Sequence, residues 1–214
     1  RRKERLDAVA DEVRAQGREP LVQPADLSDR DSCIALIDAT LERFGRVDIL
    51  VQNGHHEGDW QPAATADPDS WRHIFEVNFF GALHLSQRAI PAMRAQGGGS
   101  IVLVNSGAAV RNPPTMGAYS ASKAALASLT RTMALELGPS SIRVNGVFLG
   151  PVTGENLSRS GQGAADASGS TLDDWLAAKA GEIPLGAIPT PEQCAGAVLF
   201  FASDLAAPVT GQHL

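Results

Sequence analysis

The chain has 214 residues, a formal net charge of −6 at pH 7 and a pI near 5.3, and 43% of its residues are hydrophobic. This length and hydrophobic content suffice for the core of one domain. An acidic balance without a basic stripe argues against nucleic acid or an anionic membrane as a partner. Cys33 and Cys194 lie far apart, so neither a disulfide framework nor a metal site is expected. Without a signal peptide or a long apolar run, the sequence predicts a cytoplasmic protein.

The first part of the chain alternates helical and strand patterns. Apolar residues at helical spacing predict a helix over residues 1–15 and a second helix that Ser28 caps and Gly45 ends. Short apolar runs predict strands at residues 20–23 and 47–51.

A long helix is predicted to begin at Asp67 and Pro68, a favourable N-cap followed by a favourable first residue. Asn78 falls on the apolar stripe of this helix. A buried amide must find hydrogen-bond partners. Asn78 is therefore either a satisfied core residue that bonds to backbone, or a group that holds a water for chemistry.

The second part of the chain continues the alternation. Residues 101–104 predict a buried strand that ends near Ser106, and a helix with a wide apolar arc runs through Tyr119 to Leu137. A wide arc predicts burial against the sheet and against a second subunit. The segment 141–148 predicts another strand.

The remaining sequence is less regular. Residues 153–171 are rich in Gly, Ser and Ala and are interpreted as a mobile loop. Helices are predicted to begin at Thr171 and at Thr190, each followed by capping residues. Residues 209–214 begin a further strand.

Alternating strands and helices of this length predict an α/β fold with a parallel sheet. Polar or glycine residues follow four strands at their carboxyl ends: Asp26, Asn53, Ser106 and Gly150. In open parallel sheets the ligand binds beyond those ends. These residues are therefore expected to converge on one crevice, together with the nearby Tyr119 and Lys123.

Ser106, Tyr119 and Lys123 form the pattern Ser-x12-Tyr-x3-Lys. Residues four apart share one helical face, and an ammonium beside a phenol is expected to lower the phenol pKa. Tyr-x3-Lys by itself also occurs by chance. The full pattern resembles the short-chain dehydrogenase/reductase family. Five further segments resemble the family in the same order: residues 20–27, 49–55, 77–81, 142–152, and a closing region made of 184–186 and 191–212.

The resemblance implies a three-layer Rossmann-like fold and an NAD(P)-dependent oxidoreductase acting on an alcohol or ketone. Tyr119 would be the general acid/base, and Lys123 would lower its pKa and hold the nicotinamide ribose. Ser106 would polarise the substrate carbonyl. Asn78 would hold a water that links Lys123 to solvent.

The resemblance also implies the residues that contact the cofactor. These are Arg1, Asp26, Leu27, Asn53, Gly54, Tyr119, Lys123, Gly150, Pro151 and Val152. Asp26 would meet the adenine. Arg1 falls where the family selects a 2′-phosphate, which favours NADP over NAD.

The sequence departs from the family pattern at several places, including Leu149 where the family usually has Pro and Thr153 one place early. His55 stands where the family has a glycine, and it could face substrate or solvent. The strands and Gly-rich turn that open the family's domain are missing, so residues 1–214 are expected to be one truncated Rossmann-type domain of a longer protein. The segment 153–185 would form a substrate lid.

Two other functions remain open from the sequence: a nucleotide-binding protein without catalytic activity, and a lyase or epimerase on the same scaffold. The family resemblance also implies a homo-oligomer, either a dimer or a tetramer. The expected partner is a small-molecule alcohol or carbonyl compound.

Overall fold

Three parallel strands stand side by side in chain order in the computed structural model, which describes residues 3–214. The strand β1 (Ile49–Gln52) pairs with β2 (Gly99–Ser106), and β2 pairs along its whole length with β3 (Ile142–Leu149). Parallel neighbours require long crossover connections, and helices supply them here. The predicted parallel sheet is confirmed.

The end of the chain extends this sheet beyond β3. The Gly146 N–H donates to the Gln212 carbonyl at 2.9 Å, and the Phe148 N–H donates to the Leu214 carbonyl at 2.7 Å. Gly146 and His213 form a parallel bridge. Strand-like pairing at the end of the predicted segment 209–214 is therefore confirmed.

Helices cover both faces of the sheet. They are α1 (Lys3–Ala15), α2 (Arg30–Phe44), α3 (Pro68–Phe75), α4 (Gly81–Ala95), α5 (Ala108–Arg111), α6 (Gly117–Leu137), α7 (Glu155–Ser168), α8 (Leu172–Gly181) and α9 (Pro191–Ala202). Short 3₁₀ turns follow α6 and α9, at Gly138–Ser140 and Asp204–Ala206. Within residues 3–214, no helix is both long enough and apolar enough to cross a membrane.

Two apolar clusters form the core, one on each face of the sheet. Ile101 and Leu103 of β2 pack in the cluster that contains residues of α2, α4 and α6. Val102 packs on the opposite face with Phe201 of α9. Successive strand side chains point to opposite faces, so a strand covered on both faces is apolar at every position. The predicted three-layer α/β fold is confirmed.

The predicted strand at residues 20–23 is wrong, because this segment has no regular secondary structure. A strand exists only where a neighbouring backbone accepts and donates its ladder hydrogen bonds. No described segment pairs with residues 20–23 in this way. The apolar pattern was present, but a partner strand was not.

The predicted loop at residues 153–171 is also wrong, because α7 occupies most of it. Glycine and serine have low helix propensity, which tertiary packing can override. Gly161 of α7 lies so close to Trp175 and Leu172 of α8 that a Cβ would overlap both side chains. Here the glycines permit close packing of two helices instead of marking a flexible loop.

The predicted long helix after Asp67 is interrupted at its centre. Asp67 caps α3 by accepting from the Asp69 N–H, as expected. Residues Glu76–Phe80 then form one π-helical turn before α4 begins. Such turns interrupt α-helices frequently at functional sites, and Asn78 lies within this one.

Candidate active site

A cleft of about 670 Å³ lies at the carboxyl ends of the three strands. It is lined by seven of the residues predicted from the sequence: Asn53, Ser106, Tyr119, Lys123, Gly150, Pro151 and Val152. The strand ends and the first turns of α6 meet here because all strands run in the same direction. The structure thus brings these sequence-distant residues to one crevice.

Ser106 and Tyr119 are neighbours in this cleft. Ser106 is the last residue of β2, and its Oγ accepts from the Ala108 N–H at 3.2 Å. Tyr119 lies in the first turn of α6 and is only 8% exposed. A side-chain hydrogen bond between Ser106 and Tyr119 works to lower the phenol pKa. Both hydroxyl groups can therefore approach the same substrate oxygen.

Lys123 lies one helical turn after Tyr119 and is 2% exposed. Its Nζ is 5.8 Å from the centroid of the Tyr119 ring and donates to the Val104 carbonyl at 3.0 Å. The backbone around it is fixed as well, because Asn105 Nδ2 donates to the Lys123 carbonyl at 3.1 Å. The ammonium therefore has a defined position at the floor of the cleft.

The predicted lowering of the Tyr119 pKa by Lys123 is wrong. Burial raises the pKa of Tyr119, the hydrogen bond with Ser106 opposes this, and the charge of Glu57 raises it further. Burial also lowers the pKa of Lys123 to about 8. In this cleft desolvation is the largest effect on the pKa of both groups.

Asn78 lies outside the cleft lining and connects two parts of the site. Its Oδ1 accepts from the His56 N–H at 2.7 Å, and its Nδ2 donates to the His56 carbonyl at 2.9 Å and to Ser122 Oγ at 3.0 Å. Ser122 Oγ in turn donates to the Tyr119 carbonyl at 2.8 Å. Asn78 therefore ties the loop after β1 to the helix that carries Tyr119.

Replacing Asn78 by Leu is expected to lower the free energy of unfolding by about 2–4 kcal/mol. The side chain is 2% exposed, so both backbone groups of His56 would lose partners where water cannot easily replace them. Urea denaturation measures this change. Asn156→Ala, at an exposed position of α7, is the control and should change stability by less than about 0.5 kcal/mol. Equal effects of the two substitutions would contradict the anchoring role.

The residues predicted to contact adenosine lie together beside the cleft but do not all line it. A Cβ at Gly54 would overlap Leu27 Cδ1, so these two segments are in close contact. Asp26 is exposed, and its carboxylate accepts from both the N–H and the hydroxyl of Ser28. Asp29, and not Ser28, caps α2. Arg1 lies outside the described residues.

Comparison with known proteins identifies the family. The model of the family described as enoyl-(acyl carrier protein) reductase matches residues 1–214. An uncharacterised short-chain type dehydrogenase/reductase of Sinorhizobium fredii is 38% identical over 222 residues, covering 96% of this chain and 81% of that protein. The chain belongs to the short-chain dehydrogenase/reductase family.

Two solved structures of the same family agree with the fold. An NAD⁺-bound xylitol dehydrogenase superposes with a TM-score of 0.92 at 28% identity, over 99% of this chain and 83% of that one. An L-sorbose reductase of Gluconobacter frateurii, complexed with NADPH and L-sorbose, superposes with a TM-score of 0.93 at 26% identity, over 100% of this chain and 81% of that one. This short-chain dehydrogenase/reductase is accordingly an NAD(P)-dependent oxidoreductase.

The cleft of this short-chain dehydrogenase/reductase fits the nicotinamide end of such a cofactor. Gly150 has open space where a Cβ would stand, so a flat ring can approach the backbone after β3. Pro151 and Val152 continue this wall, and Lys123 Nζ supplies donors at its base. These are the groups that a ring and its ribose hydroxyls require.

Sequence reasoning missed several groups around the site. Ser122 immediately precedes Lys123 and lies one helical turn after Tyr119, and this spacing could have shown that it shares their region. Glu57 and Trp60 line the cleft near His55, but their loop has no pattern that predicts a position. The nearest signal was the presence of His55 where the family has glycine.

Proposed function

We propose that this protein transfers a hydride reversibly between a nicotinamide carbon and an alcohol or carbonyl carbon, with Tyr119 as general acid/base. The observation that carries the proposal is that Ser106, Tyr119 and Lys123 line one cleft at the carboxyl ends of the strands. A hydroxyl that can donate its proton and a second hydroxyl that can bond the same substrate oxygen are the groups that carbonyl reduction needs.

During reduction, the Tyr119 phenol donates its proton to the oxygen that becomes the alcohol. Ser106 donates a hydrogen bond to the same oxygen and stabilises the developing negative charge. The bound nicotinamide supplies the hydride. In the reverse direction, the Tyr119 phenolate takes the proton of the substrate alcohol. The raised pKa of Tyr119 keeps the phenol protonated at neutral pH, which favours reduction.

Lys123 and Asn78 act on either side of Tyr119 in this proposal. Lys123 would hold the ribose hydroxyls of the nicotinamide half through the Nζ that now donates to Val104. The Asn78 amide already makes three hydrogen bonds. One lone pair of its oxygen remains, and the predicted water would bind there. Asn78 is therefore a positioning residue as well.

The proposal is tested by following nicotinamide absorbance with NAD or NADP and a panel of ketones and alcohols. Turnover that depends on both the cofactor and the carbonyl compound is expected. Cofactor binding without turnover on any compound would instead favour the non-catalytic alternative. Conversion of substrate without net change in nicotinamide would favour a lyase or an epimerase.

Arg1 is proposed to select NADP, as the sequence predicts. Replacing Arg1 by Ala should lower kcat/KM for NADP by roughly 10- to 100-fold, the equivalent of a lost charge-assisted pair with phosphate. The kcat/KM for NAD should change little. Arg2→Ala is the control, and an equal loss in both variants would contradict the assignment to Arg1.

A homo-oligomer is proposed as well, either a dimer or a tetramer. Leu135 on the outer face of α6 is 82% exposed, and Ala124 is exposed on the same helix. Light scattering on the purified protein measures its mass in solution.

The cytoplasmic location remains a prediction of the sequence.

A further inference from the structure

His55 and Glu57 place a polar pair in the wall of the cleft that holds Tyr119. The His55 ring meets the Tyr119 ring edge to face, with 6.5 Å between the ring centroids. His55 Nε2 lies 3.7 Å from Glu57 Oε1. About a third of each of the two side chains remains exposed, 35% and 34%. A donor and an acceptor thus border the position of the reacting oxygen and remain accessible to a ligand.

Glu57 is a charged acceptor whose charge is partly balanced. The His55 imidazole at 3.7 Å is the largest cause that lowers its pKa, and the Arg159 guanidinium lowers it further, against the effect of burial. The carboxylate is therefore ionised at neutral pH. The same charge is felt at Tyr119, whose pKa it raises.

The rest of this wall combines aromatic and polar side chains. Trp60, which is 45% exposed, and Trp175 line the cleft, as do Asn156 and Ser160. Indole rings offer flat apolar surface for C–H groups, and the amide and hydroxyl groups offer hydrogen bonds. This combination suits a ligand that has both C–H faces and several hydroxyl groups.

We propose that His55 and Glu57 bind a hydroxyl group near the reacting carbon, so that the substrate is a neutral polyhydroxylated ketone or alcohol. The proposal rests on the proposed function and names its substrate class. A hydroxyl both donates and accepts, so it can donate a hydrogen bond to Glu57 and accept one from His55.

Other substrate classes fit these groups less well. An anion would be repelled by Glu57, whereas a cation would meet a carboxylate whose charge Arg159 already partly balances. A plain aliphatic ketone would bury the carboxylate without a hydrogen-bond donor. A site built to bond a substrate hydroxyl rejects an analogue that lacks it.

The test uses ketones that share one four-carbon skeleton: 2-butanone, 4-hydroxy-2-butanone, 3-hydroxy-2-butanone and erythrulose. The kcat/KM of the wild type should rise by roughly 10²-fold or more from 2-butanone to erythrulose. Glu57→Leu should remove most of this preference, and Glu57→Gln, which keeps an acceptor oxygen, should give an intermediate value. The test is the ratio of kcat/KM for erythrulose to kcat/KM for 2-butanone, because removing the Glu57 charge also acts on Tyr119 and so on both ketones.

Asp59→Asn is the matched control, because Asp59 is an exposed acid two positions further along that does not line the cleft. It should leave the preference for hydroxylated ketones unchanged. The proposal is overturned if the wild type turns over all four ketones equally, or if Glu57→Leu lowers kcat/KM by the same factor for all of them. In either case the proposed hydride transfer itself would stand.

A binding measurement separates this proposal from the proposed function. Trp60 and Trp175 line the cleft, so ligand binding should change the tryptophan fluorescence. Erythritol should bind more tightly than 2-butanol to the wild type, and Glu57→Leu should abolish the difference. If no ketone is reduced but this difference is found, hydride transfer is wrong and the hydroxyl site stands. Equal binding of the two alcohols would overturn the hydroxyl site.

Discussion

Replacing Tyr119 by Phe is expected to lower kcat by roughly 10³-fold, within the usual contribution of a general acid. Phe keeps the ring that packs in the first turn of α6 but removes the phenol proton. The free energy of unfolding should change by no more than about 1 kcal/mol, since only one hydroxyl hydrogen bond is lost. Nicotinamide absorbance measures kcat, and urea denaturation measures the free energy of unfolding.

The pH dependence of the wild type provides a second check on the role of Tyr119. A raised phenol pKa means that the group stays protonated to higher pH than a free tyrosine. Ketone reduction should therefore be nearly constant around neutral pH, and alcohol oxidation should increase as the pH rises. This increase should be absent in Tyr119→Phe. Turnover near the wild-type value in that variant would show that another group is the acid.

Replacing Lys123 by Met is expected to remove most activity and yet stabilise the protein at neutral pH. The pKa of Lys123 is lowered from 10.5 to about 8 because its ammonium is buried. The unfolded chain therefore binds this proton more readily than the folded one. The resulting destabilisation is about 3 kcal/mol. Loss of the hydrogen bond to Val104 offsets part of the gain, so we expect a net increase of about 1–2 kcal/mol.

The sign of this effect changes predictably with pH. Below pH 8 both states carry the proton, and the cost of burying the charge is present in full. As pH rises from 8 to 10.5 the folded state loses the proton first, so the wild type gains stability relative to the unfolded chain. The advantage of Lys123→Met should therefore decline across this range. Urea denaturation at several pH values measures it.

The control for this prediction is Lys179→Met, which removes an exposed ammonium of α8 paired with Glu182. Its effect should stay within about 0.5 kcal/mol at every pH. A Lys123→Met variant that is less stable at neutral pH, by an amount that does not depend on pH, would contradict the burial argument. The activity loss reflects the proposed contact with ribose, so cofactor affinity should fall by roughly 10- to 100-fold.

Much of the fold could be predicted because it depends on local patterns. The run Ile101–Val104 is apolar at every position, which is how a strand covered on both faces appears in sequence. The caps at Asp67, Thr171 and Thr190 are confirmed, because a cap needs only a side chain and the backbone next to it. The secondary structure was predicted wrongly where it depends on a segment distant in sequence, as at residues 20–23 and in the helix around Gly161.

The site likewise has features that the sequence predicts and features that it does not. The spacing of Ser106, Tyr119 and Lys123 predicted that they would share a crevice, because parallel strands end at one edge of a sheet. The direction of the shift in the Tyr119 pKa could not be predicted, since it depends on burial and on the charge of Glu57. The anchoring of Asn78 to His56 and Ser122 also required knowledge of three separate segments.

The sequence by itself determined the α/β class, the sheet direction and the set of reactive groups, because periodicity, capping and motif spacing are properties of neighbouring residues. Only the tertiary structure decided which groups are desolvated and which charges face them. A pKa depends on the solvent and the charges around a group, and distant segments create that environment. The same reason explains why His55 and Glu57 acquire a functional interpretation only after folding places them beside Tyr119.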